Sequence, residues 1–297
     1  MKLREDAYMK LIALDMDGTL LNHHHTISPA NAEAIRRAQS SGIHVVVATG
    51  RSYQEAHPLI QEAGLHCPLL CLNGADIRTA EGKRIAHFPL SLTQYQQIAD
   101  VLKKGNVYYE VYTEKGTLTE DREKALSFLK AYFTGTKLEQ DPVYLHTLAE
   151  DRFATGAVRL IESYDQYFSE QKAPIFKIMG YSLDPSNLSW TKEELQQLPG
   201  LAISSSAPIN LEVNSVQAQK GNAVQAYADS QGISLAEVMA IGDSFNDLSM
   251  MRIVGMPVAM GNAAEEVKAI CRFTTKTNGE DGVAFAIERE LAKIGVG

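Results

Sequence analysis

Short apolar runs alternate with amphipathic stretches over the first part of the chain. Lys10-Leu-Ile-Ala-Leu-Asp15 is a compact apolar run ending in a carboxylate and followed by Gly18-Thr19, the pattern of a strand buried on both faces and then a loop. Ser28-Pro29 supplies a helix cap and first turn, Ala34, Ile35 and Ala38 share one stripe, and Gly42 is placed to stop that helix. Ile43 to Ala48 predicts a second strand running into Thr49-Gly50-Arg51. A second helical stretch follows to about Gly64, and a third apolar run, Pro68 to Leu72, is closed by Asn73-Gly74. Strand and helix alternating over short links predict an α/β unit with a parallel, Rossmann-like sheet covered on both faces.

From about Phe88 the rhythm changes. Val107 to Tyr112, Ala157 to Ile161 and Phe176 to Met179 are strand-like but separated by longer polar helical stretches, and Leu201 to Ser206 with Asn210 to Asn214 resemble a hairpin around Ala207-Pro208. The regular βα pattern resumes after Lys220-Gly221, with a helix from Asn222 to Ser230, a strand from Val238 to Gly242, a helix through Met251, a strand from Pro257 to Met260 and a helix from Ala263. The expected organisation is therefore a core of residues 1–87 and 214–297 carrying an inserted α+β domain, 88–213.

A length of 297 residues suits two domains, and 45% hydrophobic with 22% charged residues is ordinary globular composition. The net charge of −8 argues against general nucleic-acid binding, and it means that an anionic substrate needs local cations, from Lys, Arg or a metal. Cys67, Cys71 and Cys271 form no CxxC pair and read as buried thiols of a reducing cytoplasm. Met1 to Tyr8 is charged rather than a signal-peptide core, and the chain carries no apolar run long enough to span a bilayer, so a soluble, cytoplasmic protein is expected.

Asp15-Met16-Asp17-Gly18-Thr19 sets two carboxylates two residues apart at the carboxyl end of a strand, where open α/β sheets bind ligands. Carboxylates ~4 Å apart repel by about 1 kcal/mol in water and about 4 kcal/mol at an effective dielectric near ~20, so a site holding both ionised recruits a cation or shares a proton. An all-oxygen donor set favours Mg²⁺. Taken alone, the motif is equally a turn. Three further strand ends or loops carry matching chemistry: Thr49-Gly50, able to hydrogen-bond a phosphoryl oxygen; Lys220, a point charge at a loop-to-helix junction; and Gly242-Asp243-Ser244-Phe245-Asn246-Asp247.

Asp15 to Thr19, Thr49-Gly50, Lys220-Gly221 and Gly242 to Asp247 together resemble the four motifs of the haloacid dehalogenase-like (HAD) phosphohydrolases, specifically the Cof-type branch with a type IIB cap. Ala48-Thr49-Gly50-Arg51, Leu72-Asn73-Gly74-Ala75, Met260-Gly261-Asn262-Ala263 and the run from Asn278 to Gly282-Val283 are similar to that branch as well. The resemblance implies that Asp15 is the nucleophile, taking the phosphoryl group as an aspartyl-phosphate, and that Asp17 is the acid and then the base. It implies Mg²⁺ held by Asp15, Asp243, the main-chain carbonyl of Asp17, and Asp247 as a ligand or outer neighbour. The phosphoryl oxygens would be held by Thr49, Gly50, Lys220, Asn246 and the amide of Met16. The implied activity is hydrolysis of small phosphorylated metabolites, sugar phosphates foremost, with the inserted domain closing over the core to choose the leaving group. A phosphomutase, or a non-catalytic phospholigand sensor on the same fold, stays open, and the oligomeric state is not legible.

His23-His24-His25 reads as a solvated loop, since adjacent histidines cannot all face one ion. Arg51 either caps the following helix or contacts substrate. Trp190, Tyr108, Tyr109 and Tyr112 read as packing residues, and Asn210 and Glu212, near the return to the core, are candidates for substrate selectivity.

Overall fold

The computed structural model describes residues 8–132 and 142–294, so the charged segment 1–7 lies outside the described residues. The chain divides into two compact units, one running up to His87 and resuming at Ala218, the other Phe88–Gln217. Up to His87 the strands are β1 (Leu11–Asp15), β2 (His44–Ala48), β3 (Leu69–Cys71), β4 (Asp76–Arg78) and β5 (Arg84–His87). The second unit holds β6 (Tyr108–Thr113), β7 (Gly116–Thr119), β8 (Val158–Leu160), β9 (Ile175–Tyr181), β10 (Leu201–Ser204) and β11 (Asn210–Ser215). After Ala218 come β12 (Val238–Gly242), β13 (Met256–Ala259) and β14 (Phe273–Thr274).

In the first unit eight strands form one sheet in the order β14-β13-β12-β1-β2-β3-β4-β5, parallel from β14 to β3 and antiparallel over the last two pairings. Every residue of β1 is buried, as the unbroken apolar run predicts for a strand covered on both faces. The first helix, Pro29–Ser40, is capped by Ser28, whose hydroxyl accepts from the Asn31 amide, and buries Ala34, Ile35 and Ala38. The next, Tyr53–Glu62, opens on a capping box of Ser52 and Glu55. The helix expected from Asn222 starts at Lys220 instead, and that expected from Ala263 is a single turn, Glu265–Lys268. The strands β4, β5 and β14 and the last helix, Gly282–Leu291, are additions to the sequence reading.

The second unit is a six-stranded sheet, β10-β11-β9-β6-β7-β8, antiparallel except between β7 and β8. The expected hairpin is β10 with β11, and because β11 runs on to Ser215 the unit reaches Gln217, a few residues past the expected boundary. Its core packs Tyr95, Ile98 and Leu102 of the helix Leu92–Lys104 with Tyr109, Val111, Ile178 and Val213 of the sheet. Tyr109 and Tyr112 are buried, whereas Trp190 lies exposed. Cys67 and Cys71 are buried free thiols and Cys271 is half-buried. Among the described residues no helix is long and apolar enough to cross a membrane.

Candidate active site

β1 lies between β2 and β12, whose connections leave in opposite directions along the sheet, and a crevice at the carboxyl ends of such strands is where α/β sheets place ligands. Asp15 ends β1, Thr49 follows β2 and Asp243 follows β12, so sheet order alone gathers three of the expected residues. Beyond Asp15 the chain turns through Met16–Leu20. Gly18 there has φ +79°, and a Cβ on it would stand 2.4 Å from Asp243 Oδ2, so both backbone and space demand glycine. Thr19 donates its hydroxyl to Asp243 Oδ1 at 3.3 Å.

Lys220, the expected point charge at the loop-to-helix junction, is fully buried. Its Nζ donates to Asp15 Oδ1 at 2.5 Å and to Asp247 Oδ1 at 2.7 Å. The other oxygen of Asp247 accepts the amides of Asp243 and Ser244 at 3.0 Å each, so Asp247 is a strut between the lysine and the loop after β12. Burial would push the Lys220 ammonium down, but the charges of Asp15 and Asp247 outweigh it and hold it above its ordinary value. Burial, then the charge of Asp247, pushes the Asp15 carboxyl well up, against the opposing pull of Lys220. Burial and Asp247 push Asp243 up to about 6.

Asp15, Asp243 and Asp247 each offer a carboxylate oxygen, all within 4.8 Å of one another. Three carboxylates against one ammonium leave an excess of two negative charges, and Asp15 Oδ2 is buried with no hydrogen-bond partner among the described residues. A hard divalent cation fits this donor set, since it supplies the missing charge and engages the orphaned oxygen.

Asp17 is placed differently. Its carboxylate stands outside the cluster and accepts both Arg51 Nε at 2.8 Å and Arg51 Nη2 at 2.6 Å. Burial acts to raise this carboxyl, but the two hydrogen bonds and charge of Arg51 hold it below the ordinary value. The following helix is capped by Ser52, so Arg51 is not its cap but the partner of Asp17, and its position one step beyond Gly50 was the signal for it. Thr49 is buried, and its Oγ1 accepts the Arg51 amide at 3.1 Å, leaving the hydroxyl proton to donate elsewhere. Asn246 donates to Asn73 Oδ1 at 3.2 Å.

The accessory runs also converge here. Asn262 donates to the Gly18 carbonyl at 2.8 Å and lies 3.5 Å from Asp243 Oδ2, and it accepts the Asn278 amide at 3.0 Å. The asparagine in each of those two short motifs was legible, but not its partner. His23 and His24 are exposed, in keeping with a solvated loop, whereas His25 is half-buried. Asn210 and Glu212 are engaged within their own sheet. Asn210 Oδ1 accepts the amides of Ser206 and Ala207, and Glu212 accepts the Ser206 hydroxyl at 2.5 Å and pairs with Lys177 at 3.4 Å.

A family model described as haloacid dehalogenase-like hydrolase matches residues 12–287. Among curated proteins, phosphatase YwpJ of Bacillus subtilis is 35% identical over 285 residues, covering 95% of this chain and all of that one. The 5-amino-6-(5-phospho-D-ribitylamino)uracil phosphatase YwtE of the same organism is also 35% identical, over 96% of this chain and 99% of its own length. Pyridoxal phosphate phosphatase YbhA of Escherichia coli is 26% identical over 95% and 98%. Among solved structures, a haloacid dehalogenase-like hydrolase from B. subtilis superposes with a TM-score of 0.85 at 35% identity, over 94% of this chain and 99% of that one. A sugar phosphatase of subclass IIB shares the fold, with a TM-score of 0.71 at 23% identity over 97% and 99%.

Proposed function

The chain belongs to the haloacid dehalogenase-like hydrolases and is a phosphatase, and from that premise we propose that it hydrolyses small phosphorylated metabolites, sugar phosphates first, through an aspartyl-phosphate on Asp15 with Mg²⁺ as cofactor. The observation that carries this reading is the buried ammonium of Lys220 bridging Asp15 and Asp247, with Asp243 in the same cluster. A carboxylate oxygen of Asp15 forms the bond to phosphorus while the ester oxygen departs with a proton from Asp17. Asp17, then ionised, takes a proton from the water that opens the acyl phosphate, restoring Asp15 and releasing inorganic phosphate.

Asp15, Asp243, the main-chain carbonyl of Asp17 and Asp247 are the groups that would hold the ion. Bound there, Mg²⁺ supplies charge compensation for the substrate dianion and for the carboxylates. Two of the three donors on Lys220 are spent on carboxylates, and the third is directed to a phosphoryl oxygen together with Thr49, Gly50, Asn246 and the Met16 amide. Arg51 holds Asp17 ionised at rest, so that pairing loosens and Asp17 takes up a proton from solvent before it gives one to the departing ester oxygen. The second unit supplies selectivity for the leaving group. The name of YwtE specifies a ribityl phosphate, an open-chain sugar-alcohol ester, which supports the same substrate class here.

The test is a phosphate-release screen over sugar phosphates, nucleotides, flavin mononucleotide and pyridoxal phosphate, with Mg²⁺ present and then chelated. Turnover is expected only with the ion, fastest on a sugar or sugar-alcohol phosphate, and absent in Asp15→Asn. Hydrolysis that survives chelation or that substitution overturns the reading.

A further inference from the structure

β3 ends at Cys71, and the next three residues, Leu72, Asn73 and Gly74, all adopt left-handed backbone, with φ of 53°, 58° and 97°. Such a run is unfavourable for leucine and persists only where its surroundings fix it. The amide of Leu72 donates to the Arg51 carbonyl and that of Asn73 to the Thr49 carbonyl, each at 2.9 Å. A Cβ on Gly74 would lie 2.8 Å from the Gln219 carbonyl, so the loop also rests against the start of the helix Lys220–Ser230. The Asn73 side chain, 5% exposed, accepts from Asn246 Nδ2. One loop therefore touches the Thr49 turn, the head of the Lys220 helix and Asn246.

We propose that Asn73 is a positioning residue for phosphoryl transfer that acts by fixing the orientation of the Asn246 amide; the proposal rests on the phosphatase reading above. A primary amide is nearly symmetric in shape and opposite in polarity at its two ends. Turned one way, Asn246 presents an N–H to a phosphoryl oxygen; turned the other, it presents a carbonyl oxygen that repels it. With Asn73 Oδ1 facing it, Asn246 is held in the first orientation, because the second would set two oxygens against each other. It takes one N–H of Nδ2 and leaves the other to donate. Asn246 Oδ1 is meanwhile buried without a hydrogen-bond partner among the described residues, so this orientation is held against a cost rather than by any partner of that oxygen. Asparagine suits position 73 twice, since it tolerates left-handed backbone and carries the acceptor.

The experiment separates those two roles. Asn73→Gly keeps the backbone free of strain and deletes the acceptor, whereas Asn73→Ala deletes the acceptor and strains the backbone. Turnover of p-nitrophenyl phosphate with Mg²⁺ is measured for both, for Asn246→Ala and for the double variant Asn73→Gly/Asn246→Ala. Asn73→Gly is expected to lower kcat/KM about tenfold, the scale of one lost hydrogen bond, and to cause no further loss in the Asn246→Ala background. If Asn73→Gly works as well as the wild type while Asn73→Ala fails, the residue serves only the backbone and the proposal falls. It falls equally if Asn73→Gly costs as much without Asn246 as with it. Should the glycine variant not fold, Asn73→Ser, too short to reach Asn246, runs the same cycle. Asp15→Asn is carried alongside: activity surviving there would overturn the nucleophile assignment rather than the anchor.

Discussion

At the scale of single residues, the site is defined by an imbalance of charge. Asp243 sits at about 6 against an ordinary 3.8, and Asp15 is raised in the same direction, both by burial first and by Asp247 next. Between 3.8 and about 6 Asp243 holds more protons in the folded protein than in the unfolded chain, so its contribution to stability is present at low pH and is lost as pH rises through that window, and the raised Asp15 acts with the same sign. The metal-free protein is therefore expected to lose melting temperature as pH rises from about 4 to about 6, by a margin that shrinks in Asp243→Asn. Added Mg²⁺ should restore more at the upper pH than at the lower. Thermal melts with chelator and with Mg²⁺ read this directly, and a margin unchanged in Asp243→Asn would disconnect the effect from this cluster. Asp15 and Asp243 were legible in sequence because their carboxylates sit at strand ends, and Lys220 because it opens a helix after a loop. The bond between Arg51 and Asp17 was not, since it joins residues 34 positions apart and depends on how β1 and β2 pair.

At the scale of elements, legibility followed burial. β1, β2 and β12 are buried on both faces and read as apolar runs, whereas β5 alternates between half-buried and exposed positions and β4 and β14 span three and two residues. Such segments hold their place through pairing with a neighbour, which no local pattern records. Helix starts with a side-chain cap, at Ser28 and Ser52, were clearer than the uncapped ones at Lys220 and Glu265, because a cap is written in one residue. Ser28 illustrates what the sequence omits: its hydroxyl accepts from Asn31 and donates to Asp281 at 2.6 Å, tying the first helix to the segment that opens the last. Ser28→Ala should cost about 1–2 kcal/mol in denaturant unfolding, with KM for the best substrate unchanged. A changed KM would show that the tie reaches the site.

At the scale of the whole molecule, each of the two units has its own sheet and its own core, and the carboxylate cluster belongs to only one of them. Leu102 is fully buried in the core of the second unit, and Leu102→Ala should cost that unit about 2–5 kcal/mol. In calorimetry the substitution is expected to lower one transition, while Mg²⁺ raises the other. A single transition moved by both would mean that the units unfold as one. The sheet order has a separate consequence for synthesis. β1 pairs on one side with β2, close by in sequence, and on the other with β12, which begins at Val238. A nascent chain emerging from the ribosome thus carries β1 with one hydrogen-bonding flank bare until more than two hundred further residues are made, while Phe88–Gln217 is an uninterrupted stretch of chain completed in the interval. Translation that stops short of β12 leaves β1 with an open edge, the template on which unpaired strands of separate chains associate.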